Sequence, residues 1–149
     1  MAQLFKADVL VIGSGIAGAF TALELADAGV SVTLVSRSLD ENVSATWYAQ
    51  GGIVYRGEGD SAALLEKDII RAGAGMSFPK AVKVLSKEGP PLVKSILIDK
   101  LKIPFDKDKN GNLNFGMEGG HSTKRILHAA DATGRAIELA LVAAIKKHP

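Results

Sequence analysis

An α/β fold with a parallel sheet is predicted by three features near the N-terminus. Residues 7–12, A-D-V-L-V-I, form a short apolar run rich in β-branched side chains, the composition of a strand buried on both faces. The period then changes: Ile16, Phe20 and Leu23 recur at helical spacing, Glu24 and Asp27 turn elsewhere, and Gly29 can end the helix. Residues 31–35, S-V-T-L-V, read as a second strand. Strand, helix and strand in so short a span make a βαβ unit, whose crossover should be right-handed.

Residues 37–59 carry no clear periodic element. Asp60 or Ser61 can cap a helix running to about Ala72, with Leu65, Ile69 and Ala72 on one face. Ser77 can cap the next, with Pro79 in its first turn and Gly89 after its end. Pro90 and Pro91 then start a short apolar helix through Ile98. Residues 103–105 and 113–115 look like two short strands, and Asn110-Gly111 between them is a hairpin signal. Thr133 can cap a last helix in which Ile137, Leu141 and Ile145 share a face, with Lys146 and Lys147 where the helix dipole favours cations. There is no internal repeat and no low-complexity linker.

Composition narrows the function classes. Hydrophobic residues at 47% and charged residues at 23% of 149 fit a globular domain with a core. A net charge of +2, with no block of like charges, points to neither a nucleic acid nor a membrane partner. The absence of cysteine removes disulfides and thiolate chemistry and fits a cytoplasmic location. Lys6, the apolar stretch and the small residues near Ala26 imitate a secretory signal, but Asp8 and the glycines at 13, 15 and 18 interrupt it. No run reaches membrane-spanning length.

Gly13-Ser14-Gly15-Ile16-Ala17-Gly18 is G-x-G-x-x-G placed after a strand and opening a helix, the context that gives this pattern meaning. Gly13 allows the tight turn, Gly15 lets backbone approach a pyrophosphate, and Gly18 lets helix and strand pack closely. The helix N-terminus offers free N–H groups and the positive dipole end to phosphates. The fold is therefore of the Rossmann type. The carboxylate that usually follows the second strand is missing, and Val35-Ser36-Arg37-Ser38 stands there instead. Ser36 can hydrogen-bond a ribose, and Arg37 suits either a 2′-phosphate or an adenosine, so the loop alone leaves FAD and a nicotinamide cofactor open. Thr46-Trp47-Tyr48-Ala49-Gln50-Gly51-Gly52 follows, and its glycines suit close backbone approach to a flat ligand or a plain loop.

Three stretches, A-D-V-L-V-I-G-S-G-I-A-G, T-W-Y-A-Q-G-G-I and E-G-G-H-S-T-K-R-I-L-H-A-A-D-A-T-G, closely resemble the L-aspartate oxidase family. That family lies within the succinate dehydrogenase and fumarate reductase flavoprotein superfamily. The similarity runs in order from Asp8 to the last helix; A-Q-G-G and A-D-x-T-G belong to the superfamily, while residues 118–134 point to the aspartate oxidase branch. The resemblance implies that residues 1–149 are the N-terminal part of an FAD-binding domain. The family's capping domain, helical domain, arginine base and most substrate groups would lie past residue 149.

It further implies that Gly13, Ser14, Gly15, Ile16, Ala17 and Gly18 bind the FAD pyrophosphate, with Ser36 and Arg37 near the adenosine. Ala45, Thr46, Trp47, Tyr48, Ala49, Gln50, Gly51 and Gly52 would line the flavin. Glu118 matches the glutamate that faces the substrate ammonium, and His121, Ser122 and Arg125 share its signature, His121 as a candidate catalytic group. Relatives that bond FAD covalently carry a histidine where Ala45 stands, so the resemblance implies noncovalent FAD. The implied reaction is oxidation of L-aspartate to iminoaspartate for quinolinate and NAD synthesis, with oxygen or fumarate as acceptor and quinolinate synthase as a possible partner. The alternatives are a dicarboxylate dehydrogenase or fumarate reductase, against which Glu118 stands, and a non-catalytic fragment of an FAD-binding domain.

Two other patterns carry less. Asp106-x-Asp108-x-Asn110-Gly111 imitates a calcium loop, but its twelfth position is Met117, not a glutamate, and a solvated hairpin turn explains it. His128 and Asp131 lack a clear third ligand, so no metal is expected, and a histidine hydrogen-bonded near the active site is the better reading.

Overall fold

The computed structural model describes residues 4–38, 40 and 43–148. They form two compact units, Met1–Ala49 with Gly134–Pro149, and Gln50–Thr133.

In the first unit, β1 (Val9–Ile12) and β2 (Val32–Val35) pair in parallel, in register from Val9 with Val32 to Ile12 with Val35. Helix α1 (Ile16–Asp27) joins them, so the expected strand–helix–strand order holds. Gly29 at φ +79° turns the chain out of α1, as only glycine does without strain. The buried face of α1 differs from the one the large residues suggest. Ala19, Ala22 and Leu23 are buried, whereas Ile16 is 37% exposed. Close packing selects the small residues: a Cβ on Gly18 would lie 1.8 Å from the Gly13 carbonyl oxygen. Burial of β1 on both faces is not met either, since Leu10 is 60% and Ile12 80% exposed. Side chains alternate along a strand, and among the described residues nothing covers that face. The last helix of the chain (Thr133–Lys147) buries Ile137 and Leu141 as expected, and Glu138 with them. Thr133 is its first residue, and the Thr133 hydroxyl accepts from the Ala129 amide at 3.0 Å.

In the second unit, α2 (Ala62–Ala72) is capped by Ser61, whose hydroxyl accepts from Leu64 N at 3.1 Å. Helix α3 (Pro79–Leu92) starts at Phe78 rather than Ser77, and the Ser77 hydroxyl donates instead to Ile69 O. Gly89 does not end α3, nor do Pro90 and Pro91 begin a new helix: all three lie inside α3, which runs on into a π-helical stretch, Val93–Lys100. The buried residues explain the continuity, because Val82, Ser86, Pro90, Val93 and Leu97 make one stripe at helical spacing. Two missing proline amides loosen the winding, and the wider turn closes with Leu101 N donating to Ile96 O at 2.8 Å.

A three-stranded antiparallel sheet completes this unit, in the order β3 (Ile53–Val54), β5 (Ile126–Leu127) and β4 (Phe115–Gly116). Residues 103–105 form no strand, although Ile103 and Phe105 are buried. The hairpin survives as a bridge between Lys107 and Leu113, with Gly111 at φ +84°. The last helix is α4 in chain order.

Candidate functional site

In the first unit, a cleft of about 510 Å³ opens at the carboxyl ends of β1 and β2 and is lined by Gly13, Ser14, Gly15, Ser36, Arg37, Ser44 and Ala45, among others. Ligands of open α/β sheets bind at this end. Gly13 holds φ +110° with open space around it, and Gly13 N donates to Val35 O at 2.8 Å. The first intrahelical bond runs from Ala19 N to Gly15 O, so the amides of Ala17 and Gly18 precede the helical ladder. Ile16 is different: its amide donates to Thr46 Oγ1 at 2.8 Å, which ties the glycine loop to the following segment. These features suit a dinucleotide pyrophosphate. A larger cavity of about 610 Å³ at the other end of the strands is lined by Ala22, Val30, Val32 and Ile145 and has no phosphate-binding loop.

Gly15 has φ −66°, a conformation open to any residue, so its requirement is space. A Cβ there would sit 3.1 Å from Thr46 Oγ1. The turn holding Thr46 rests on the start of α4, where Gly134 N donates to Ala49 O at 3.0 Å. A Cβ on Gly134 would lie 2.0 Å from Thr46 O, so only glycine fits. Arg135 stacks its guanidinium 4.9 Å from the Trp47 ring centroid. Glu138 is buried with neither carboxylate oxygen in a well-formed hydrogen bond among the described residues. Burial pushes its carboxyl up, and the Ser44 hydroxyl opposes that rise. Tyr48 is 67% exposed.

In the second unit, Glu118 comes to Gly52: the Gly52 amide donates to Glu118 Oε1 at 3.3 Å. His128 Nε2 lies 3.8 Å from the same oxygen. Gly52 and Gly116 make room for that imidazole, since a Cβ on either would meet the ring at 2.8 Å and 2.5 Å respectively. The Glu118 side chain is 46% exposed, so a carboxylate faces solvent with one oxygen anchored.

The residues after Glu118 are held by a buried ionic cluster. Arg125 is fully buried, with Nε and Nη2 on the two Asp60 oxygens at 2.9 and 2.8 Å and Nη1 on Asp68 Oδ2 at 2.7 Å. The Ser122 amide and hydroxyl both donate to Asp68 Oδ2, at 2.9 and 2.8 Å. Arg71 donates to Asp68 Oδ1 at 3.1 Å and to the Gly120 carbonyl at 3.0 Å. Burial works to raise the Asp68 carboxyl, but the Ser122 donors and Arg125 outweigh it and hold it at about 2. His121 Nδ1 lies 3.1 Å from Arg125 Nη1.

Sequence reasoning missed Gly134, Arg135, Glu138, Asp60 and Asp68 as parts of these arrangements. Gly134, the last residue of the A-D-x-T-G motif, and Asp60, a helix-cap candidate, carried local signals, but not for these contacts. The calcium-like loop is a turn in which Asp108 Oδ1 accepts from the Asn110 and Asn112 amides at 2.8 and 2.9 Å. No group of three or more metal-binding side chains occurs among the described residues.

A family profile described as an FAD binding domain matches residues 8–149. An L-aspartate oxidase from Nicotiana tabacum is 43% identical over 95% of this chain and 22% of its own length. One from Streptomyces coelicolor is 40% identical over 94% of the chain and 24% of its own, and one from Clostridium acetobutylicum 35% identical over 97% and 32%. The chain thus spans between 22% and 32% of the length of these relatives. Among solved structures, the Mycobacterium smegmatis Sdh1 complex matches with TM-score 0.85 and 29% identity, over 93% of this chain and 24% of its own. An E. coli quinol fumarate reductase FrdA variant matches in fold with TM-score 0.86 at 24% identity, over 99% and 25%.

Proposed function

The chain belongs to the family of FAD binding domains, and from that premise we propose that it serves an enzyme oxidising L-aspartate to iminoaspartate. Bound FAD supplies the two-electron acceptor, and the protein supplies position and charge. Gly13–Gly18 and the Ser36-Arg37 strand end hold the pyrophosphate and adenosine in this reading, and Ala45–Ala49 and Gln50–Gly52 serve the flavin. Ala45 offers no nucleophile, so the cofactor is held noncovalently.

The observation that carries the substrate is Glu118, a half-exposed carboxylate fixed by the Gly52 amide. Aspartate differs from succinate by an α-ammonium, and a site that prefers aspartate needs an acceptor for it. The names of the relatives support the same substrate. Oxygen or fumarate reoxidises the enzyme, and the product enters quinolinate and NAD synthesis, with quinolinate synthase as the consuming partner. No helix among the described residues is long and apolar enough to cross a membrane. A succinate dehydrogenase or fumarate reductase is the second reading, favoured by the likeness to the Mycobacterium smegmatis Sdh1 complex and opposed by a carboxylate that repels a dianion lacking an ammonium.

The test is Glu118→Gln in the holoenzyme that carries these residues. Aspartate oxidation should weaken by about 1.5–3 kcal/mol, the range for a hydrogen bond to a charged group, and fumarate reduction much less. Equal loss on both substrates, or none on aspartate, removes Glu118 from the substrate site.

A further inference from the structure

Glu118, Gly119, Gly120 and His121 form one tight turn. His121 N donates to Glu118 O at 3.3 Å, and Gly120 holds φ +87° at the third position, the signature of a type II turn. Such a turn brings the Cα atoms of its first and fourth residues within about 7 Å, and the two glycines between them add no side chain. Glu118 is an acceptor. The chemistry of His121 is set by its neighbour. Arginine has only N–H donors, so the 3.1 Å contact between Arg125 Nη1 and His121 Nδ1 makes Nδ1 the acceptor. The ring proton is then on Nε2, on the side of the imidazole away from Arg125. Arg125 does not turn to suit the histidine, because Asp60 holds Nε and Nη2, Asp68 shares Nη1, and the side chain is fully buried.

We propose that this turn is a recognition element for an α-amino carboxylate, with Glu118 taking the ammonium and His121 Nε2–H donating to a carboxylate. Arg125 is the positioning residue that fixes the His121 tautomer. The turn thus carries one acceptor and one donor on its first and fourth residues, matching the charge pattern of a zwitterion. The proposal rests on the aspartate reading above and assigns His121 and Arg125 roles within it.

Two measurements test it. In holoenzyme labelled with ¹⁵N-histidine, the His121 signal, assigned by its loss in His121→Gln among the three histidines of the chain, should show the proton on Nε2 and none on Nδ1. A proton on Nδ1 overturns the proposal. In steady-state kinetics, His121→Asn places no donor at the Nε2 position and should raise KM about ten- to a hundredfold for both aspartate and fumarate. His121→Gln carries an amide N–H near that position and should restore KM to within a few-fold, with FAD content unchanged in both variants. Equal impairment of Asn and Gln, or no change in either, overturns the proposal. The aspartate reading fails separately: Glu118→Gln acting on aspartate alone, with His121→Asn silent, leaves that reading standing and this one refuted. If His121→Asn loses FAD or unfolds, the tautomer measurement decides.

Discussion

Gly15 and Gly18 are both fingerprint glycines, yet they answer different questions when replaced. A side chain on Gly18 collides with the Gly13 carbonyl oxygen at 1.8 Å, so its substitution breaks the packing of α1 on β1. Gly15 has an ordinary backbone conformation, and its added Cβ meets Thr46 Oγ1 at 3.1 Å and Ser44 at 3.7 Å. Gly15→Val should therefore leave the helical circular dichroism signal in place and lower FAD affinity by at least about a hundredfold, some 3 kcal/mol, read by fluorescence titration. Unchanged affinity would reduce the loop to a structural turn. Ala45 lines the same cleft and has no atom able to bond the cofactor. Denaturing the holoenzyme should release all its flavin as free FAD, and colour kept by the precipitated polypeptide would disprove noncovalent binding. Gly13 and Gly18 were legible because the turn and the close contact they make are local. Gly134 and Glu138 were not, because what limits them is the 44–49 turn about ninety residues away in sequence.

Helix α2 shows why some elements read correctly and others did not. Its Ser61 cap is contained in one stretch of sequence and was legible; of the expected face Leu65 is buried, Ile69 is half-buried and Ala72 is exposed, because Asp68 takes the buried position instead. Strands β3 and β5 pair only with distant partners, as in Ile53 with Leu127, and offer two residues of pattern each. The Gly89-Pro90-Pro91 break was misjudged because burial of Val82, Ser86, Pro90, Val93 and Leu97 along one stripe outweighs local helix preference. Asp68 was read past because it looks like a solvated charge on α2, whereas it holds Arg125 and Ser122 across 57 and 54 residues of sequence. Asp68→Asn should destabilise the fold by about 3 kcal/mol, the low end for breaking a buried pair, since Asp60 still holds Arg125. The folded Asp68 carboxyl is depressed from 3.8 to about 2. Its contribution is thus complete above the unfolded value, erodes as pH falls below it, and is lost once pH passes through about 2. Urea denaturation at neutral pH and in acid should show the wild type and Asp68→Asn converging in acid. A gap that stays constant with pH would mean that Asp68 does not titrate with folding.

At the scale of the whole molecule, the first unit leaves an apolar sheet surface in water. Leu10 and Ile12 point to one face of β1 and are 60% and 80% exposed, and Val35 at the end of β2 is 39% exposed. Among the described residues this sheet has two strands, so each strand also has an open edge there. Parallel sheets are stable when helices cover both faces, and in this chain α1 serves one side. An open apolar edge is a template for further pairing. The 149-residue chain on its own should therefore self-associate, with light scattering after size-exclusion chromatography giving masses above the 15.6 kDa monomer. Ile12→Lys puts a charge on the exposed face and should shift the population toward monomer, while the ion cluster around Arg125 in the second unit stays intact. The chain alone should also fail to oxidise aspartate. A monodisperse monomer of the unmodified chain that turns over aspartate would overturn both claims, and self-association unchanged by Ile12→Lys would move the contact away from β1.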